Sequence, residues 1–441
     1  MNSSPYYSPS LVKRIFASGA IGNILETYDL ILISLMATTL SQVFFPPSSN
    51  PYAHVIDILY VFFISLLMRP IGNIIMALFA DQIGRKKLMF ISLTFTGICS
   101  ILVGLLPGYQ SIGVWSTILF ILIRVSMNFF AGIEYVNSAT YLIESSDKKT
   151  KGFFGSWSAI GISGGYLLAS LVSYLVSHFI DNGSIPKWSW RFVFLFSFIG
   201  IGFGTWLRYS IPESIEFMMN NANTERVKKI SILKNAVTLI MENTRQCTAI
   251  ASLTVMGTCL SYIYYVYIPL TLTTSRHFNH NDSLSLNIIS LSLIITLIPF
   301  FGKISDHYNR VKLLKIVCLI VSLLSFPFFM AASYGTYFQL LSVSLLISIP
   351  SACFFSLYPT ILIEWFPCKI RCTTSSLIYQ IVFSITLGTL PFIVNFIVKI
   401  TESPYSPAYI LIFSSMIGYI GLHMLHKNNI ALEEYAAVQS E

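Results

Sequence analysis

Twelve separate stretches of this 441-residue chain stay apolar for about twenty residues or more, at roughly 15–44, 55–80, 88–107, 114–143, 152–180, 190–210, 247–274, 284–303, 312–333, 338–364, 373–398 and 407–426. That repeated length constrains the fold more than any other feature. The hydrocarbon core of a bilayer is about 30 Å thick and takes about twenty residues of helix. Its interior offers no water to backbone N–H and C=O groups, so only helices and closed barrels cross it. Barrel strands alternate in polarity over about ten residues, whereas these runs are continuous. The sequence therefore predicts an all-α membrane protein with twelve transmembrane helices. Charged residues are 10% of the chain, against about 25% in soluble domains, too few to coat a water-facing surface.

The polar start "MNSSPYYSPSLVKR" leads to no small-residue cleavage site, so the first run is expected to stay as a helix. The seven cysteines lie inside or at the ends of runs and imply no disulfide framework. Of the 27 Lys and Arg, 21 fall in the N-terminal segment and in alternate connections on one side, Arg208 among them. The positive-inside rule then predicts cytoplasmic termini in a bacterial inner membrane. The net charge of +8 is thus an orientation signal, and no nucleic-acid partner is expected.

The chain divides as 1–210 (six spans), a polar linker 211–246, 247–426 (six more spans) and a short tail 427–441. The halves repeat one another. "ADQIGRKK" after the second run answers "SDHYNRVK" after the eighth, so Asp81, Gly84 and Arg85 correspond to Asp306, Asn309 and Arg310. Gly and Asn both tolerate the left-handed backbone of a tight turn. "LIESSDKKTKG" and "LIEWFPCKIRC" place Glu144 and Lys151 opposite Glu364 and Arg371. Duplicated six-span halves signal a secondary transporter.

A carboxylate or guanidinium near the bilayer centre costs about 2.5–3.5 kcal/mol on insertion scales and marks function or pairing. Five such groups fall well inside runs: Glu26, Asp29, Arg69, Arg124 and Glu134. Glu26 and Asp29, at i and i+3, share a helix face, and two nearby carboxylates raise one another's proton affinity. Arg124 and Glu134 stand about 15 Å apart along a helix, so each needs a partner from another span. Ion pairs that fix packing are the alternative reading. The seven His show no metal spacing, and no phosphate-binding Gly-rich loop is present, so neither a metal, a cofactor nor ATP coupling is expected.

The stretches "GNILETYDL", "RPIGNIIMALFADQIGRKK", "RVSMNFFAGIEYVNSATYLIE", "KGFFGSW" and "FPCKIRCTTSSLIYQ" together resemble the major facilitator superfamily. Within it they resemble the metabolite:proton symporters, the group of proline/betaine, α-ketoglutarate, shikimate and citrate carriers. The resemblance implies two six-helix bundles and proton-coupled symport of a small polar metabolite, an organic acid or a zwitterionic osmolyte, by a monomer that uses the proton gradient and performs no catalysis. It implies a substrate and proton site at the five buried charges, with Tyr28, Tyr135, Tyr262, Tyr267, Tyr379 and Gln380 as further cavity candidates. It also implies a cytoplasmic gate of Asp81, Gly84, Arg85, Glu144, Asp306, Arg310, Glu364 and Arg371. Thr27, Leu30, Met127, Asn128, Ile133 and Gln380 depart from the family pattern, which leaves the substrate open. A carrier-fold receptor, or a facilitator or exporter without proton coupling, are the rival readings.

Overall fold

The structure, a computed structural model, describes residues 9–47, 51–213, 238, 240–275, 280–366 and 371–426. Most of the expected linker and the tail 427–441 lie outside the described residues.

Among the described residues, twelve helices are long and apolar enough to cross a membrane. In chain order, spans one to six are Ser10–Leu35, Ile58–Met76, Arg85–Leu105, Val114–Glu144, Lys151–Ile180 and Lys187–Tyr209. Spans seven to twelve are Thr244–Tyr267, Asp282–Ser305, Arg310–Tyr334, Tyr337–Glu364, Cys372–Thr401 and Pro407–Met424. They form the two six-helix bundles of the major facilitator fold. Spans five and eight, and spans two and eleven, meet along the seam between the bundles.

Small residues permit the closest approaches, as expected where apolar surface alone gives helices no reason to prefer each other over lipid. Gly161 and Gly165, one turn apart on span five, lie under span one. A Cβ at Gly161 would stand 2.6 Å from the Ala20 carbonyl oxygen, and one at Gly165 would stand 2.5 Å from Thr27 Cβ.

Among the described residues, several spans are interrupted, two of them close to the seam. Span four runs Val114–Ala131 and resumes at Glu134–Glu144, with the break at Gly132 and Ile133. Span seven passes through a π-helical turn, Ile263–Tyr267, a distortion that often marks functional sites. The repeat also diverges at its turns. Gly84 has φ +96°, the left-handed backbone expected of it. Asn309 instead has φ −66° and ψ 109°, and its side chain accepts from the Lys312 N–H to cap span nine. The turn expectation holds for the glycine and fails for the asparagine, because a side-chain cap takes the place of the left-handed turn.

Candidate functional site

The seam encloses a cavity at mid-depth, lined by Glu26 and Thr27 of span one, Arg69 of span two, Tyr135 of span four and Tyr166 of span five. Thr254, Gly257, Thr258 and Ser261 of span seven, Phe354, Phe355 and Tyr358 of span ten, and Tyr379 and Phe383 of span eleven, with Leu30 and Ile162, complete it. About 60 Å³ is open to the centres of water-sized molecules, room for about four at ~15 Å³ each.

Glu26 and Arg69 form an ion pair at 2.8 Å across this space, both side chains under one-tenth exposed. Arg69 Nε donates to Asn128 Oδ1 at 2.8 Å, and its guanidinium sits 5.5 Å above the Phe383 ring. The Tyr135 and Tyr379 rings meet at 4.9 Å and close the cavity on the side of the Lys- and Arg-rich connections, called here the basic face. Tyr358 and Thr254 hydroxyls are 2.6 Å apart.

Asp29 is placed elsewhere. It is 1% exposed and accepts from Ser100 Oγ at 2.5 Å and Ser197 Oγ at 3.0 Å, on spans three and six. Arg124 stands beside it, donating Nη1 to the Asp29 carbonyl at 3.2 Å and to Met127 Sδ at 3.3 Å. The shared face expected of Glu26 and Asp29 therefore splits between two environments. One turn of sequence separates them, but only Glu26 reaches the cavity.

Glu134 pairs with Arg208, which also donates to the Met89 carbonyl. This corrects the assignment of Arg208 to a solvated connection. It is fully buried, since span six continues to Tyr209 and turns the guanidinium inward.

Of the remaining cavity candidates, Tyr135 and Tyr379 line it. Tyr28 instead donates to the Val193 carbonyl at 2.6 Å. Tyr262 and Tyr267 are buried in the C-terminal bundle away from the cavity lining. Gln380 donates Nε2 across the seam to the Gly132 carbonyl. Tyr166, Phe354, Phe355, Tyr358 and Phe383 escaped the sequence reading, because a lone aromatic in an apolar run carries no signal. Asn128 and Met127 did carry one, as departures from the family pattern, and here they serve Arg69 and Arg124.

On the basic face the bundles are joined by polar contacts. Asp306 accepts from the N–H groups of Gly152 at 2.6 Å and Phe153 at 3.0 Å, the exposed N-terminus of span five, where a carboxylate is favoured. Burial pushes its carboxyl above the ordinary carboxylate value, while those N–H groups and Arg310 pull it back. Arg310 bridges Asp306 at 3.1 Å and also pairs with Glu364, and Lys151 reaches Glu364 at 3.5 Å. Within the N-terminal bundle, Arg85 lies 3.5 Å from Glu144. Glu213, missed by the sequence reading, accepts from the Arg85 and Lys86 N–H groups at 3.1 and 3.2 Å. The side chains of Asp81 and Arg371 lie outside the described residues. On the opposite face the described part of the seam is mostly aromatic, with Phe63 and Tyr60 against Phe392, and Asn287 donates to Ser170 Oγ at 3.2 Å.

Two helical bundles around a charged, aromatic cavity define a secondary carrier and not an enzyme. The chain matches the sugar (and other) transporter family over residues 15–248, more than half its length, and belongs to that family. It is 26% identical over 428 residues to the glycine betaine/proline/ectoine/pipecolic acid transporter OusA of Dickeya dadantii, covering 96% of this chain and 85% of the relative. It is 27% identical over 414 residues to the citrate-proton symporter of Klebsiella pneumoniae, covering 93% and 91%. Its fold resembles that of the proton:xylose symporter XylE bound to 6-bromo-6-deoxy-D-glucose, with a TM-score of 0.76 at 17% identity and 96% coverage of both chains. The protein is a multi-pass membrane transporter of that family, built on the major facilitator fold.

Proposed function

We propose that the substrate is a compact zwitterion, a carboxylate joined to a substituted ammonium, and that Glu26 is the acid whose proton accompanies it. One observation carries this reading: a Glu26–Arg69 pair at 2.8 Å facing a cavity lined by Tyr135, Tyr166, Tyr358, Tyr379, Phe354, Phe355 and Phe383. With Glu26 ionised, Arg69 is already neutralised and has little to offer an incoming carboxylate. A proton on Glu26 removes that competitor and frees the guanidinium for a charge-assisted, bidentate contact. Proton and carboxylate are therefore taken together. The substituted ammonium packs on the aromatic faces, which attract cations by about 0.5–2 kcal/mol. Asp29 and Arg124, held apart from the cavity, neutralise one another inside the N-terminal bundle.

The basic face is assigned to the cytoplasm, which puts both termini on the cytoplasmic side of a bacterial inner membrane. The carrier works as a monomer without a cofactor, drawing on the proton gradient, and the segment 211–246 tethers the bundles on the cytoplasmic side. Substrate admission requires the cavity to widen, since its present space holds only about four waters.

The test is uptake of labelled glycine betaine, proline and citrate into proteoliposomes with an imposed pH gradient. Glu26→Gln should abolish gradient-driven accumulation while preserving exchange of internal for external glycine betaine. Accumulation by Glu26→Gln together with its loss in Asp29→Asn moves the proton to Asp29 and overturns the assignment. Citrate as the only transported compound overturns the zwitterion.

A further inference from the structure

Arg69 meets two acceptors of different kinds. Glu26 of span one, a carboxylate that can take a proton, contacts Nη1 at 2.8 Å. Asn128 of span four, an amide that cannot, accepts from Nε at 2.8 Å. Phe383 covers a face of the guanidinium. Asn128 is itself fixed: it is 2% exposed, and its Nδ2 donates to the Arg124 carbonyl at 3.1 Å. A flipped amide would turn N–H toward N–H, so the two contacts together dictate its orientation.

The backbone brings the amide to that nitrogen. Spans two and four approach so closely that a Cβ on Gly132 would stand 2.5 Å from the Arg69 carbonyl oxygen, and one on Gly72 would collide with the Phe129 carbonyl. These contacts, three residues apart on each helix, fix the register of the pair. Asn128 then falls one turn before Gly132, on the side of Arg69. Arg124, a further turn back, is directed to Asp29 and Met127. The other titratable groups on the cavity wall are Glu26, Tyr135, Tyr166, Tyr358 and Tyr379.

The shape of a guanidinium gives this arrangement a consequence. Its five N–H donors form a planar fork, which offers a carboxylate two bidentate edges, Nε with Nη2 or the two Nη nitrogens. Asn128 closes the first. On the second, an incoming carboxylate meets Glu26 at the shared Nη1, and two carboxylates that close resist being ionised together.

Given the proposed roles of Glu26 and Arg69, on which this inference rests, we propose that Asn128 is a positioning residue that makes the coupling strict. By filling the Nε edge it confines the substrate carboxylate to the edge where Glu26 must first be protonated. Without the amide, a carboxylate takes the Nε–Nη2 edge while ionised Glu26 keeps Nη1. That contact is weaker, because Glu26 still neutralises the guanidinium, but it needs no proton. The carrier then slips.

The test is steady-state accumulation in proteoliposomes, with the membrane potential clamped at zero, of whichever of labelled glycine betaine, proline and citrate the wild type accumulates. An acid-outside gradient of about one pH unit sustains about tenfold accumulation at about one proton per molecule. Asn128→Ala and Asn128→Ser are too short to reach Nε. Both should fall below about twofold while still equilibrating the compound across the membrane. Asn128→Asp keeps an acceptor on Nε and should retain the accumulation ratio at slower uptake. A merely structural defect slows the approach to the final ratio without lowering it. Wild-type accumulation in both the alanine and serine variants overturns the proposal, as does loss of equilibration in both, or loss of accumulation in Asn128→Asp. Glu26→Gln, run alongside, separates two failures. Accumulation by Glu26→Gln removes the proton from Glu26 and the role of Asn128 with it. No accumulation there, with full accumulation in the Asn128 variants, removes the role of Asn128 alone.

Discussion

Glu134 and Arg208 form a buried ion pair that occupies the space a side chain at residue 22 would need. Both members are at most 2% exposed, and a Cβ on Gly22 would collide with Arg208 Nη2 and Glu134 Oε1. The glycine of "GNILETYDL" is thus matched to charges contributed by spans four and six.

This relationship predicts that Gly22→Ala destabilises the carrier by crowding the buried pair, and that Glu134→Gln does so by leaving Arg208 an unneutralised buried charge. Losing one partner of a buried pair costs about 3–5 kcal/mol. Thermal unfolding of the purified protein should show a clear fall for each. Glu134→Gln combined with Arg208→Met removes both charges and should recover most of the loss. No recovery in the double variant would mean that the pair is not what Gly22 protects.

The basic-face seam should depend on Asp306 as an acceptor more than as a charge. Asp306→Ala removes the oxygens that receive the Gly152 and Phe153 N–H groups, and should increase the seam-open population about fivefold, in keeping with about 1 kcal/mol for a helix-terminus contact. Asp306→Asn keeps an acceptor and should stay near wild type. The carboxyl is raised above its ordinary value when the seam is closed. A raised group favours the closed seam at low pH, and that contribution fades as pH rises through the raised value. Distances between spin labels at Thr150 and Tyr308 should therefore shift toward the closed population on acidification, and the shift should vanish in Asp306→Asn.

For the aromatic lining, Tyr379→Leu and Phe383→Leu should weaken glycine betaine binding about tenfold each, the upper range of a desolvated cation–π contact. Tyr379→Phe, which keeps the ring face, should change it little. Equal losses in the leucine and phenylalanine variants at position 379 would assign the effect to the hydroxyl.

The repeat-related turns should respond differently to substitution. Gly84 has φ +96°, so Gly84→Ala strains the backbone by about 1–2 kcal/mol and should lower the melting temperature. Asn309 acts through its side chain, so Asn309→Ala should cost about 1 kcal/mol, whereas Asn309→Gly should cost a few tenths. The same measurement checks both.

Hydropathy revealed all twelve spans, most ends to within a few residues, because a bilayer imposes a minimum length on every crossing; span one, expected at 15–44, runs instead over Ser10–Leu35, with a separate helix at Ala37–Phe44. It did not reveal which charges meet. Arg208 sits at the end of an apolar run, where sequence cannot tell a solvated arginine from one folded back onto Glu134. Glu26 and Asp29 were legible as neighbours on a helix, but the partner spans that separate them, two for Glu26 and three and six for Asp29, appear only once the bundle packs. The aromatic lining is assembled from four helices, each contributing residues ordinary in their own run. Gly84 and Asn309 show the remaining difficulty, since equivalent positions in a duplicated chain have solved one turn by two mechanisms.

The Glu26–Arg69 pair also bears on how the membrane potential acts. An empty cavity whose acid and base cancel carries no net charge, so this site returns without electrical work. The proposed zwitterion is itself neutral, and the proton proposed to sit on Glu26 adds one positive charge to the loaded cavity. A potential of 100 mV acting on one charge over the full membrane is worth about 2.3 kcal/mol. Voltage should therefore drive the loaded reorientation and leave the empty one indifferent, making the carrier a rectifier whose direction is set by what it holds.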